Sequence, residues 1–153
     1  QRVIELSDVI TGGEILSLLP KIYPEMILDA LRMISSNSLK LLTQEHQRST
    51  YYEKMKPEER EIDWDCSSIK IYNLVRALTS PYPGAFTNFH GRKVIIWKAE
   101  MCSENFNPTT TNGQILEVTE NNLKVKTNDG VIQITQYNFV QEEKINLTVG
   151  DLF

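Results

Sequence analysis

Asn88 and His90 stand two residues apart in the run Thr87-Asn88-Phe89-His90-Gly91. They are residue types that an acyl-transfer site uses. An imidazole can take a proton from an attacking nucleophile, and a side-chain amide can donate to the oxyanion that forms on the attacked carbonyl. Two positions apart on a strand, they would share a face. The same residues also suit a strand end entering a His-Gly turn, where polar side chains need no chemistry to account for them, and the turn reading outweighs catalysis. His46 is the second of only two histidines; it has no metal-ligand spacing to a Cys or to His90, and a metal site is not expected. Thr11-Gly12-Gly13-Glu14 carries a glycine pair without the spacing, Lys and Ser/Thr of a phosphate loop. It reads instead as a capping box that starts a helix.

The elements that must position these residues follow from period and punctuation. Val3, Ile4 and Leu6 read as part of a strand before the capping box. Pro20 is expected to end or kink the helix, and Pro24 to open a second one, since a proline lacks the N–H that a helix interior needs. Met26, Ile27, Ala30, Leu31 and Ile34 then recur at helical spacing and predict one buried stripe, which stops near Ser35-Ser36-Asn37. Leu39, Leu41 and Leu42 make a short strand candidate. Residues 43–61 are polar and of mixed charge; the run from Glu53 to Glu61 carries three basic and four acidic side chains and reads as a solvated linker. The adjacent Tyr51 and Tyr52 fit that reading less well. Asp65 is placed to cap a helix whose stripe is Ile71, Leu74, Val75 and Leu78, and Pro81, Pro83 and Gly84 stop it. From Ala85 the period changes to that of strands: Ala85 to Phe89, Lys93 to Met101, Gln114 to Val118, Asn122 to Lys126 and Val131 to Gln136. Asn128-Asp129-Gly130 is the strongest hairpin signal. Five short strands so joined predict a small antiparallel barrel.

The chain has 153 residues, 41% of them hydrophobic, enough for one core or a core with a small satellite. Its formal charge of -4 lacks the overall basic footprint of a dedicated nucleic-acid binder. Two cysteines do not make a secreted disulfide framework, so a reducing cytoplasmic setting is expected. No apolar run approaches a membrane span and no membrane partner is expected. The opening at Gln1, without Met, reads as the middle of a longer protein.

Several motifs occur together and in order: Tyr51-Tyr52-x-Lys54, Ile62-Asp63-Trp64, Ile71-Tyr72-Asn73-x-x-Arg76-Ala77, Pro81-x-Pro83-Gly84-Ala85-Phe86-Thr87 and Gly91-x-Lys93. In this order, from Thr50 to Ala99, they resemble the formyltransferase family that uses 10-formyltetrahydrofolate, which includes methionyl-tRNA formyltransferases and sugar-nucleotide N-formyltransferases. The stretch from Gln1 to Leu31 looks like the same family. The resemblance implies an α+β chain, the helical and extended tail of an α/β formyltransferase domain over 1–84 and a small OB-like antiparallel β-barrel over 85–153. It implies that 10-formyltetrahydrofolate and the catalytic Asn, His and Asp belong to a preceding doubly wound domain. None of those three maps onto this chain, so alone it is expected to be inactive, and Asn88-Phe89-His90 falls where the family has a variable turn. By the same resemblance Tyr51, Tyr52, Lys54, Asp63, Trp64 and Arg76 are the substrate-binding candidates. Trp64 and Tyr72 are read first as core, and Arg76 equally as a partner of Asp63 or Asp65 or as a phosphate contact.

Two acceptors compete within that family. A tRNA needs phosphate neutralisation, whereas residues 85–153 hold six basic side chains (Arg92, Lys93, Lys98, Lys124, Lys126 and Lys144) and eight acidic ones, net -2. That balance favours a nucleotide-linked amino sugar, which needs one or two cations, and ranks methionyl-tRNA second. A non-catalytic oligonucleotide-binding or protein-interaction module is the reading from outside enzymology. Phe86, Phe89 and Trp97 beside Arg92 and Lys93 are its stacking candidates, though barrel core accounts for them as well. A homodimer is left open.

Overall fold

Helix α1 (Gly12–Ser35) begins where its local chemistry dictates. The Thr11 hydroxyl accepts from the Glu14 amide at 3.2 Å, and the Glu14 carboxylate accepts from the Thr11 amide at 2.8 Å. The Thr11 amide bond is the main reason the Glu14 carboxyl is held below the ordinary glutamate range. The computed structural model describes residues 1–103, 109–120, 122–141 and 145–153. In it α1 runs unbroken for 24 residues, with Pro20 and Pro24 both inside, so one helix stands where two were expected. Both prolines are exposed, and the carbonyls that lose their N–H partners can turn to water. The helix stops at Ser36, and Asn37 takes the left-handed φ of 52° that Asn tolerates.

The apolar stripe of α1 is present but not buried. Ile27, Leu31 and Ile34 are 59%, 55% and 58% exposed, and no residue of α1 counts as buried. The expected burial is absent: the apolar residues share a helix face, but no described element covers it. Residues 3–6 and 39–42 form no strand either. Apolar side chains alone do not make a strand without a ladder partner to take the backbone groups.

The sheet contains β1 (Ala85–Phe89), β2 (Arg92–Cys102), β3 (Ile115–Val118), β4 (Leu123–Lys126) and β5 (Val131–Phe139), all antiparallel, in the order β1-β2-β5-β4-β3. His90 and Gly91 make the β1–β2 turn with φ of 48° and 73°, as a two-residue hairpin of this hand requires. The β4–β5 turn closes with the Thr127 amide donating to the Gly130 carbonyl at 3.0 Å. Register in β2 shifts on both sides of Lys98, leaving Trp97 out of the backbone register while its indole N–H donates to Asn138 of β5.

Among the described strands the ladder is open, not the closed barrel expected: β1 and β3 are its two edges. Both edges are covered by chain rather than by each other. Glu61 bridges to Phe86 on the β1 side, where the Ile62 amide donates to the Phe86 carbonyl at 2.7 Å. On the β3 side the Ile115 amide donates to the Asp151 carbonyl at 2.8 Å, and Gln114 bridges to Leu152. Covered edges cannot template further strand pairing.

Helix α2 (Ser68–Leu78) lies on this sheet through Ile71, Val75 and Leu78, all buried; Leu74 of the expected stripe is only partly buried. Each such side chain contributes about 1.5–3 kcal/mol when fully removed from water. Asp65 was the expected cap, but the carboxylate that receives the Ser68 amide, at 2.7 Å, is Asp129 of the β4–β5 turn. That bond is the leading reason the Asp129 carboxyl is held below the ordinary aspartate range. The Ser68 and Thr127 hydroxyls meet at 2.6 Å beside it, both residues buried. Helix α2 and the far hairpin are thereby locked together.

Candidate functional site

The six sequence-predicted residues fall in three places. Tyr51, Tyr52 and Lys54 stand on the linker between the 3-10 turns His46–Arg48 and Pro57–Arg60, with no regular structure around them. The tyrosines are 81% and 92% exposed. Exposure of two adjacent aromatic rings is costly unless something else uses their surface.

Asp63 and Trp64 lie where the linker meets the sheet. Asp63 shapes the chain: one carboxylate oxygen accepts from the Asp65 amide at 3.0 Å, the other from the Cys66 thiol at 3.3 Å. The Lys70 ammonium is raised above its usual range, chiefly by its hydrogen bond to Cys66. Trp64 is 7% exposed. Its indole N–H donates to the Thr87 hydroxyl of β1 at 3.0 Å, and its ring stacks on Phe153 with centroids 5.6 Å apart. A Cβ on Gly113, just before β3, would sit 3.2 Å from the same ring. Trp64 thus touches both edges of the open sheet, while Phe89 meets Phe153 at 5.9 Å. Aromatic packing occupies the gap that a ladder would otherwise close.

Arg76 pairs with neither Asp63 nor Asp65. Its Nη1 donates to the Ile10 carbonyl at 2.7 Å, its Nε donates to Asn73 Oδ1 at 2.8 Å, and its guanidinium lies 5.9 Å from the Tyr72 ring centroid. The contact ties the residue before the α1 cap to α2. Two glycines permit the approach. A Cβ on Gly12 would stand 2.2 Å from the Ala77 carbonyl oxygen, and one on Gly13 would stand 2.1 Å from that of Ser80. The positive end of the α1 dipole therefore meets the carbonyl end of α2, which favours the crossing. A cleft of about 750 Å³ opens beside it, lined by Thr11, Glu14, Arg76, Trp97 and Lys98 among others. Trp97 and Lys98 escaped the sequence reading as cleft residues because the bulge that turns them there leaves no sequence signal of its own.

Asn88 and His90 do not assemble. Asn88 donates to the Glu61 carboxylate at 2.5 Å, while His90 forms the turn with its ring edge against Phe89. Among the described residues neither histidine bonds a carboxylate, no group of three metal-ligating side chains gathers, and no helix is long and apolar enough to cross a membrane. Phe86 and Phe89, offered as stacking residues, are buried. Phe86 carries Lys93 Nζ at 3.8 Å from its ring centroid and Arg60 at 6.0 Å.

Residues 54–149 match the family described as formyl transferase, C-terminal domain. Methionyl-tRNA formyltransferase of Carboxydothermus hydrogenoformans is 40% identical over 101 residues, 66% of this chain and 32% of that protein. The methionyl-tRNA formyltransferase of Acetivibrio thermocellus is 31% identical over 94% of this chain and 46% of that protein. Bifunctional polymyxin resistance protein ArnA of Wigglesworthia glossinidia brevipalpis is 41% identical over half of this chain and 12% of its own length. The chain spans less than half the length of these relatives. In fold it is similar to crystal structures of HypX from Aquifex aeolicus. One superposes with a TM-score of 0.66 at 22% identity, covering 95% of this chain and 25% of that one. Another, in complex with tetrahydrofolic acid, gives 0.63 at 22% identity over the same shares.

Proposed function

The chain belongs to the formyl transferase C-terminal domain family, and from that premise we propose that it is the rear portion of an enzyme that moves a formyl group from 10-formyltetrahydrofolate to the amino group of methionyl-tRNA. The acceptor reading rests on the likeness to methionyl-tRNA formyltransferases at 40% and 31% identity. The amino-sugar acceptor, favoured by charge over residues 85–153, gives way to that likeness. The charge tally leaves out the linker between residues 40 and 56, where Lys40, Arg48, Lys54 and Lys56 stand against Glu45 and Glu53.

Formyl transfer needs a neutral amine, a base for its proton and donors aimed at the developing oxyanion. The residues described here do not fit that set, and the folate and the catalytic Asn, His and Asp are assigned to a domain preceding this one. In this reading residues 1–84 complete that catalytic domain and link it to residues 85–153. The exposed stripe of Ile27, Leu31 and Ile34 is the face on which the catalytic domain packs. Tyr51, Tyr52 and Lys54 face the acceptor. Asp63, Trp64 and Arg76 position the linker and helices rather than touch the formyl group.

The test is a competition. The longer protein carrying this chain is given a formyl-folate together with either methionyl-tRNA or a nucleotide-linked 4-amino sugar, and tetrahydrofolate release is followed. Release is expected with methionyl-tRNA only. Release with the sugar alone overturns the acceptor assignment while leaving the family intact.

A further inference from the structure

We infer that Arg76 is a positioning residue for formyl transfer: its guanidinium fixes the chain that enters α1 against α2, and so aligns the domain assigned to catalysis with the sheet. The inference rests on the formyltransferase reading above and adds to it the joint through which the two parts are aligned.

Among the described residues the bond from Arg76 Nη1 to the Ile10 carbonyl, at 2.7 Å, is the one hydrogen bond that joins residues 1–40 to the rest of the chain. Helix α1 buries none of its residues, so core packing does little to hold it. The bond grips a defined point. Ile10 directly precedes the Thr11 cap, and its amide donates to the Ser7 carbonyl at 3.2 Å, so a turn over residues 7–10 stands just before the helix. Holding the last carbonyl of that turn fixes the direction in which the chain enters α1, which in this reading is the direction from which the catalytic domain leads.

The donor is constrained as well. Asn73 and Tyr72 lie three and four positions earlier on α2 and therefore on the same helix face as Arg76. Nε donates to Asn73 Oδ1 at 2.8 Å, and the guanidinium lies 5.9 Å from the Tyr72 ring centroid. A planar fork already oriented by two neighbours loses little freedom when it makes a third contact. Beneath it α2 is anchored in the core by Ile71, Val75 and Leu78. The grip thus runs from the core of the sheet to the entry of α1. A misplacement of about 1 Å far from the reacting atoms can lower turnover about a hundredfold, so such a joint governs rate without touching a substrate.

The experiment compares Arg76→Met, Arg76→Lys and Arg32→Met in the longer protein, with the acceptor that the wild type formylates. Arg32 is an exposed arginine of α1 whose ion pair is with Asp29 at 3.0 Å, and it controls for the loss of a charge. Arg76→Met is expected to lower kcat and kcat/KM together by about ten- to a hundredfold. KM for 10-formyltetrahydrofolate should stay unchanged, because the folate is assigned to the preceding domain. Arg76→Lys keeps a donor for the Ile10 carbonyl but loses the fork, and should recover part of the loss. Arg32→Met should leave kcat as it is. In the 153-residue chain, amide exchange of Arg76→Met should quicken from Ser7 to Ile15 and keep its wild-type rate in β2 and β5, which separates a lost tie from general unfolding. An unchanged kcat in Arg76→Met, an equal loss in Arg32→Met, or exchange that quickens throughout the sheet overturns the positioning role. Failure of the enzyme reading is distinct: the longer wild-type protein then transfers no formyl group to either acceptor, which removes this inference with it. If the wild type turns over and Arg76→Met matches it, the positioning role falls alone.

Discussion

Trp64→Ala is expected to destabilise the chain by about 3–5 kcal/mol, the range for deleting a large buried aromatic. That is a large fraction of the roughly 5–15 kcal/mol available to a domain. The size follows from what the side chain spans. Its indole N–H is spent on Thr87 of β1, its ring face on Phe153, and its edge on the backbone at Gly113. Removing it opens a cavity between two sheet edges that share no ladder, so the walls have no backbone bonds to pull them together. Trp64→Phe keeps most of the volume but strands the buried Thr87 hydroxyl, at a cost of about 1–3 kcal/mol. Urea titration followed by circular dichroism measures both. A loss below about 1 kcal/mol for the alanine variant would mean that Trp64 does not hold the edges together.

Gly13→Ala is expected to act against helix propensity. In a helix interior Gly→Ala ordinarily stabilises by about 1 kcal/mol. Here the new methyl would meet the Ser80 carbonyl oxygen at 2.1 Å, backbone that cannot swing aside. Overpacking of this kind costs about 1–3 kcal/mol, so the net sign reverses. Gly12→Ala meets the Ala77 carbonyl oxygen at 2.2 Å and should behave alike. The consequence is local: the first turns of α1 separate from α2, and the Arg76 bond to the Ile10 carbonyl is stretched with them. Amide hydrogen exchange should quicken in the first turns of α1 and stay unchanged in β2 and β5. A stabilised Gly13→Ala variant would show that the helices do not cross so closely. In the longer protein the same substitutions should lower formyl transfer, since α1 carries the face assigned to the catalytic domain.

What could be read from sequence was what is decided locally. Thr11 and Glu14 are three residues apart and satisfy each other without outside help, so the capping box was legible. The Ile71, Val75 and Leu78 stripe was equally so, as were the Asn128-Asp129-Gly130 turn and the five strands to within a few residues. What depends on distant partners was not. The cap of α2 comes from Asp129, 61 residues away, while the nearer and plausible Asp65 does not serve. Whether Ile27, Leu31 and Ile34 are buried depends on a neighbour, which no periodicity can supply. Barrel closure required β1 to pair with β3, and Trp64 with Phe153 stands between them instead. The helix break at Pro20 failed because both prolines face water, a condition invisible before the fold is known. At the candidate site, Asp63 or Asp65 was the expected partner of Arg76 and the Ile10 carbonyl takes that place: a backbone carbonyl leaves no trace in a sequence. The charge tally began at residue 85 and so left out the linker between residues 40 and 56, where Lys40, Arg48, Lys54 and Lys56 outnumber Glu45 and Glu53.

The function we propose is a division of labour in which this chain supplies the acceptor-side scaffold and a preceding catalytic domain moves the formyl group. The measurement that tests it most directly is transfer of radiolabelled formyl from 10-formyltetrahydrofolate to methionyl-tRNA, by the 153-residue chain alone and by the longer protein in which a formyltransferase catalytic domain precedes it. The account predicts no transfer above the uncatalysed rate for the first and full turnover for the second. Folate-dependent transfer by the 153 residues alone would contradict it.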